Sequence, residues 1–230
     1  MCGRYASARK REELLAEFRI ERDRVDESLA PDNNVAPTKQ VNAVMTRGSG
    51  GGGDAGPQDV ARELRVVRWG LVPYWAKDVK SVRQPINARA ETAATAPMFR
   101  DALERRRCLV PADVFYEWQA TEQGKQPFAI ARADGQPMAF AGLWEGWRGA
   151  DGTVLRSFAI VTTNANPVLR LLHERMPVIL EPVDWPAWLG EVAGDPGAML
   201  RPSAAELRMW RIGKAVNSVR NDSASLLEPV

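Results

Sequence analysis

Val41-Asn42-Ala43-Val44-Met45 and Leu64-Arg65-Val66-Val67-Arg68-Trp69 flank a run, Gly48 to Pro57, that is almost entirely Gly, Ser and Asp. The first flank alternates as a strand does, and the second has the pattern of a strand returning beside it. The run between them is therefore expected to be a flexible hairpin tip at 48–57 rather than a linker between domains. Further strands are expected at Arg107–Val110, Val114–Gln119, Pro127–Arg132, Met138–Glu145 and Phe158–Thr163. Helices are expected over Ser7 to Val25, where Leu14, Leu15 and Phe18 share a face, around Pro167–His173, and at Trp185–Leu189. One more is expected at Ser203–Trp210, where Ser203-Ala204-Ala205-Glu206 has capping-box spacing. Asn33 to Pro37 reads as a turn or irregular entry, and Pro177–Leu180 as a short apolar run. Strands without regular βαβ alternation, and without an internal repeat, give an α+β class: one domain over residues 2–229 built on antiparallel sheet.

The chain has 230 residues, 45% hydrophobic and 26% charged, which are ordinary globular values. Its two cysteines, Cys2 and Cys108, make no disulfide framework and point to a reducing, cytoplasmic compartment. One His and two Cys argue against a Cys/His zinc site, and neither metal nor cofactor is expected. No stretch reaches the roughly 18 apolar residues of a membrane span, and no signal run opens the chain. The net charge of +2 supplies no global basic field, so any nucleic-acid site must be local. Among the basic residues only Lys10, Lys39, Lys77, Lys80, Lys125 and Lys214 are Lys. An Arg-rich balance suits phosphate recognition, and it equally fits the codon usage of a GC-rich genome.

Met1-Cys2-Gly3-Arg4-Tyr5 places a cysteine directly behind the initiator Met. A small residue at position 2 permits removal of Met1, which leaves Cys2 with an α-amine and a thiol on adjacent carbons. These groups titrate near about 8 and 8.5, so both are partly available at neutral pH. The characteristic partner of a 1,2-aminothiol is an aldehyde: the amine forms a Schiff base and the thiolate closes a thiazolidine ring. The competing reading is a frayed chain end.

Three more polar residues stand in unusual company. Strand alternation in Val114-Phe115-Tyr116-Glu117-Trp118 puts Phe115 and Glu117 on one face. A carboxylate among aromatics is a candidate general acid or base, or else an edge-strand Glu facing water. His173, the only histidine, is either a proton carrier near neutral pH or a cation at a helix C-terminus. Asn87 either orients a nucleophile or sugar or caps a helix beginning near Glu91. In Trp69-Gly70-Leu71-Val72-Pro73-Tyr74-Trp75, Trp69 is assigned to the core and Trp75 to the surface, where a ring beside Arg can stack on single-stranded bases. Cys108 reads as a buried, inert thiol.

Taken in order, Met1 to Tyr5, Asn34 to Pro37, Trp69 to Pro73, Asn87-Ala88-Arg89-Ala90-Glu91-Thr92, Phe115 to Trp118, Ala141-Gly142-Leu143-Trp144, His173-Glu174-Arg175-Met176-Pro177 and Val216 to Val219 resemble the SRAP family of abasic-site processing proteins. The resemblance covers essentially the whole chain and implies curved antiparallel sheets forming a barrel-like core with flanking helices. It implies covalent trapping of abasic sites in single-stranded DNA through Cys2, with peptidase-type self-removal of Met1, crosslink reversal and lyase activity. By resemblance Cys2, Asn87, Glu117 and His173 are catalytic. Arg4, Arg89, Thr162 and Arg175 would bind phosphates, and Pro37 and Trp75 would wedge or stack. The protein would be a monomer, free of metal and membrane, cytoplasmic and nucleoid-associated when on DNA. Two departures stand out: Val114 where the family usually has Gly, and Ala76 where a second Trp often follows Trp75. Two other readings remain: an N-terminal-nucleophile amidohydrolase of the glutamine amidotransferase type, and a non-covalent single-strand binder.

Overall fold

The computed structural model describes residues 2–46 and 60–230; the expected loop at 48–57 lies outside the described residues. In chain order the strands are β1 (Tyr5–Ser7), β2 (Arg22–Asp23), β3 (Asp32–Val35), β4 (Gln40–Thr46), β5 (Arg62–Trp69), β6 (Asn87–Arg89) and β7 (Arg107–Ala112). They continue as β8 (Val114–Thr121), β9 (Gly124–Arg132), β10 (Met138–Arg148), β11 (Val154–Asn164), β12 (Arg175–Pro177), β13 (Ile179–Leu180) and β14 (Leu207–Arg211). The helices are short: α1 (Arg11–Glu17), α2 (Ala90–Ala93), α3 (Arg100–Arg105) and α4 (Trp185–Leu189).

The hairpin that decides the fold is present. β4 and β5 pair antiparallel from Gln40↔Arg68 to Thr46↔Arg62. From it the sheet runs β5-β4-β7-β10-β11. β11 then returns to β5 through a short parallel pairing, Ser157↔Arg68 and Phe158↔Trp69, which closes five strands into a barrel. A second, open sheet of order β14-β9-β8-β1-β3 lies against it.

Alternation explains how the two sheets meet. Val41, Ala43 and Met45 of β4, Val67 and Trp69 of β5, Val110 of β7, Phe140 of β10 and Phe158 and Ile160 of β11 share one core with Tyr5, Phe115 and Ile130 of the open sheet. Edge-on ring contacts tie the sheets together: Tyr5 to Trp69 at 5.2 Å and Phe115 to Phe140 at 5.9 Å between centroids. The intervening barrel residues, among them Val44, Leu64, Leu109 and Val161, pack beneath Leu14 and Phe18 of α1, Leu103 of α3 and Trp185 and Trp188 of α4. Each such fully buried side chain contributes about 1.5–3 kcal/mol. The outer face of the open sheet (Ala6, Val114, Tyr116, Ala129) is covered by the C-terminal segment through Ile212, Val216 and Leu226.

Gly142 of β10 sits where a side chain has no room. A Cβ there would lie 2.6 Å from the Cys108 sulfur and 3.0 Å from Val110 Cγ2. Val114 is not among the described non-glycine residues with positive φ, which are Arg19 and Thr38, so the departure from Gly at this position leaves β8 regular.

Several expected elements are corrected. The helix over 7–25 is confined to α1, because Ser7 is held in β1 and the Ala8 N–H donates to the Asp113 carboxylate at 2.7 Å. The helix ends where Arg19 enters the left-handed region at φ 52. Residues Asp32–Val35 form β3, which leaves only Ala36 to Lys39 to turn. Ser203–Trp210 is not a helix: Ser203 Oγ closes a local turn on the Ala205 N–H, and Leu207–Arg211 is β14. Leu207 and Met209 pack inward and Trp210 outward, a period of two rather than 3.6. The helix near Pro167–His173 is a single 3-10 turn, Leu169–Leu171, and the Pro177–Leu180 run divides between β12 and β13.

Candidate active site

Cys2 lies just ahead of β1 and is 1% exposed. Its carbonyl accepts a hydrogen bond from Asn87 Nδ2 at 3.0 Å. Asn87 does not cap a helix; it opens β6, which pairs parallel to β11 with Asn87 opposite Ile160. Its Oδ1 is buried and has no hydrogen-bond partner among the described residues. Burial, and then the charge of Glu117, push the Cys2 thiol well above the ordinary thiol range, while the Arg4 backbone N–H works against them.

Glu117 is 7% exposed, on the inward side of β8 as alternation predicts. It lines a groove of about 440 Å³ together with His173, Trp118, Lys125 and Asn217. His173 follows the 3-10 turn, and its Nδ1 accepts the Arg175 backbone N–H at 2.9 Å. An imidazolium has no acceptor nitrogen, so this bond belongs to the neutral ring with its proton on Nε2. Cys2, Asn87, Glu117 and His173 thus converge from four separate segments: the N-terminus, β6, β8 and the turn before β12.

One wall of the groove is the C-terminal segment. Trp118 Nε1 donates to Asn217 Oδ1 at 2.7 Å. Asn34 Nδ2 holds the same segment through the carbonyls of Val216 (3.2 Å), Ser218 (3.0 Å) and Asn221 (2.8 Å). Arg4 Nη1 binds Asn34 Oδ1 at 2.7 Å and the Val216 carbonyl at 3.0 Å, so part of its guanidinium is engaged inside the protein. Sequence reasoning left Asn34 and Asn217 without roles and missed Lys125. Lys125 enters the groove because the Thr121–Gly124 turn folds β9 back beside β8, a tertiary consequence that no local motif announces.

Of the other expected DNA-binding residues, three meet at β11, where Arg89 pairs with Thr162 and Arg175 reaches the Thr162 carbonyl. Arg89 is exposed at the end of β6, and Pro37 is half-buried in the turn after β3. Trp75 is 51% exposed beside Tyr74 at 54%, and Ala76 is buried, its carbonyl accepting Trp147 Nε1 at 2.7 Å. Thr162 is fully buried, its hydroxyl donating to the Ala88 carbonyl at 3.4 Å, so in this structure it presents nothing to solvent. Arg175 is gripped internally: both Nη atoms bind the Glu91 carboxylate, Nη1 also binds Asn164 Oδ1 (2.9 Å), and Nη2 binds the Thr162 carbonyl (2.6 Å). No helix among the described residues is long and apolar enough to cross a membrane.

Comparison with known proteins gives one answer. The model of the family described as SOS response associated peptidase (SRAP) matches residues 1–219. The chain is 35% identical over 233 residues to the abasic site processing protein YoqW of Bacillus subtilis, covering 99% of each chain. It is 35% identical over 241 residues to the abasic site processing protein YedK of Escherichia coli, covering 100% of each. A crystal structure of a protein from Bacteroides thetaiotaomicron superposes with a TM-score of 0.84 over 100% of both chains at 22% identity, which speaks to the fold. The ordered motifs, the closed barrel and these matches agree that the chain belongs to the SOS response associated peptidase (SRAP) family.

Proposed function

We propose that this protein processes abasic sites in single-stranded DNA by trapping the ring-opened sugar aldehyde on Cys2 once Met1 has been removed. The observation that carries the reading is the company kept by Cys2: a buried thiol in the field of Glu117, its backbone held by Asn87, beside a groove that also presents His173. The names of the relatives YoqW and YedK point the same way.

The chemistry balances with the loss of one water. The freed Cys2 amine attacks the aldehyde carbon, and the carbonyl oxygen takes up protons and leaves as water, giving a Schiff base. The thiol then gives its proton to a base, its sulfur bonds to the imine carbon, and the nitrogen takes a proton, closing the thiazolidine. A thiol held protonated by burial needs that base, and Glu117 is the carboxylate whose charge reaches it. His173, with its ring proton on Nε2, suits the donor role toward the departing oxygen. The buried, unpartnered Asn87 Oδ1 is an acceptor suited to the freed amine, since leaving it unmet costs about 1–3 kcal/mol. Arg89 is the exposed cation on the strand that carries Asn87, suited to a phosphate beside the lesion. Self-removal of Met1, crosslink reversal, lyase activity and a monomeric state belong to the same reading.

Mixing Met1-free protein with an abasic single strand should give a band shifted on a denaturing gel, and no shift would reject the reading. Incubation with glutamine should release no ammonia; release would favour an N-terminal-nucleophile amidohydrolase instead.

A further inference from the structure

The Arg175 side chain leaves its own strand and spans β11. β12 lies on one side of β11, with Asn164↔Arg175, and β6 on the other, with Thr162↔Arg89. Arg175 crosses this strand, touches Asn164 Oδ1 and the Thr162 carbonyl on the way, and ends in a two-pronged pair with Glu91, two residues beyond β6. Its side chain is 14% exposed, whereas that of Glu91 is 47% exposed. The pairing pulls the Glu91 carboxyl below its ordinary range, the hydrogen bond from Arg175 being the largest cause. A two-pronged guanidinium–carboxylate pair fixes orientation as well as distance.

The backbone of the same Arg175 donates to His173 Nδ1 at 2.9 Å. The turn between them is otherwise tied by the Ala165 N–H to the Glu174 carbonyl at 2.8 Å and by the His173 N–H to the Leu169 carbonyl at 3.0 Å. The Arg175 amide therefore favours the tautomer in which Nδ1 is the acceptor, and that amide belongs to the residue that Glu91 grips from across the sheet. We infer that Glu91 is a positioning residue: through Arg175 it holds His173 in the Nε2-protonated tautomer that proton donation in the groove requires. This inference rests on the proton-carrying role proposed above for His173.

Because His173 is the only histidine, one-bond and long-range ¹⁵N NMR of the imidazole reads the tautomer without assignment ambiguity. In the wild type, Nε2 should appear protonated and Nδ1 unprotonated and acceptor-bonded. In Glu91→Ala the two nitrogens should move toward an averaged tautomer mixture, and crosslinking of an abasic single strand should slow roughly tenfold. Glu91→Gln, which keeps an acceptor but loses the charge, should fall between the two in both readouts. A wild-type imidazole spectrum in both variants, or tautomer mixing with wild-type crosslinking rates, would overturn the inference. Failure of the wild type itself to crosslink would instead overturn the proposed function, which separates the two claims.

Discussion

Cys2 and Cys108 are 1% and 0% exposed, belong to the same core, and both have thiols raised by burial. Their surroundings differ. Cys108 lies on a barrel strand against Gly142, and burial is the only cause that shifts it. Cys2 stands at the seam between barrel and open sheet, where Glu117 adds its field, Asn87 holds the carbonyl, and a groove opens alongside. Burial alone makes a thiol inert. The difference at Cys2 is the polar company of Glu117 and Asn87, brought there by segments far apart in the chain.

The widest separation between the two thiols should come from removing each in turn. Cys2→Ala should abolish the covalent DNA product on a denaturing gel, whereas Cys108→Ala should crosslink at wild-type rate. Product from the first or loss in the second would break the comparison. Glu117→Gln should slow crosslinking by roughly a hundredfold, within the range for general acid–base groups, while binding to an intact single strand stays constant. Equal rates would make that carboxylate purely structural.

The Cys108 side of the comparison concerns packing. Gly142→Ala should cost about 1–3 kcal/mol in denaturant unfolding, because the new Cβ meets the Cys108 sulfur. In a Cys108→Ala background the penalty should shrink, a non-additivity expected of residues in contact. Full additivity would place the strain elsewhere. The smallest effect is on pH dependence. A thiol raised on folding contributes stability below its unfolded value of about 8.5, and that contribution is lost as pH climbs above it, because the unfolded thiol ionises and the buried one does not. Cys108→Ala should therefore flatten the loss of stability between about pH 9 and 10. An unchanged alkaline limb would count against a thiol raised by burial.

The barrel strands were legible because their alternation survives in the sequence: the stretch Val41 to Met45 alternates as a strand does, and in β4 Val41, Ala43 and Met45 share one core. Barrel closure was not, because the β5–β11 contact is two residues of parallel pairing with no local signature. β14 was misread because Ser203-Ala204-Ala205-Glu206 satisfies capping spacing while its backbone is claimed by a turn and by Ala133. At the site, Glu117 and Trp75 were placed correctly by alternation and by loop chemistry. The grip of Glu91 on Arg175 was hidden, since their contact spans 84 residues of chain and crosses a strand between them.

The central claim is that the amine and thiol of Cys2 act together on one aldehyde carbon. Intact-mass measurement of Met1-free protein mixed with an abasic single strand, followed by peptide mapping, tests it most directly. The account predicts an adduct equal to protein plus DNA less one water, on the peptide beginning with Cys2, that persists without borohydride. An adduct that survives only after borohydride reduction, one mapped to another residue, or none at all would contradict it.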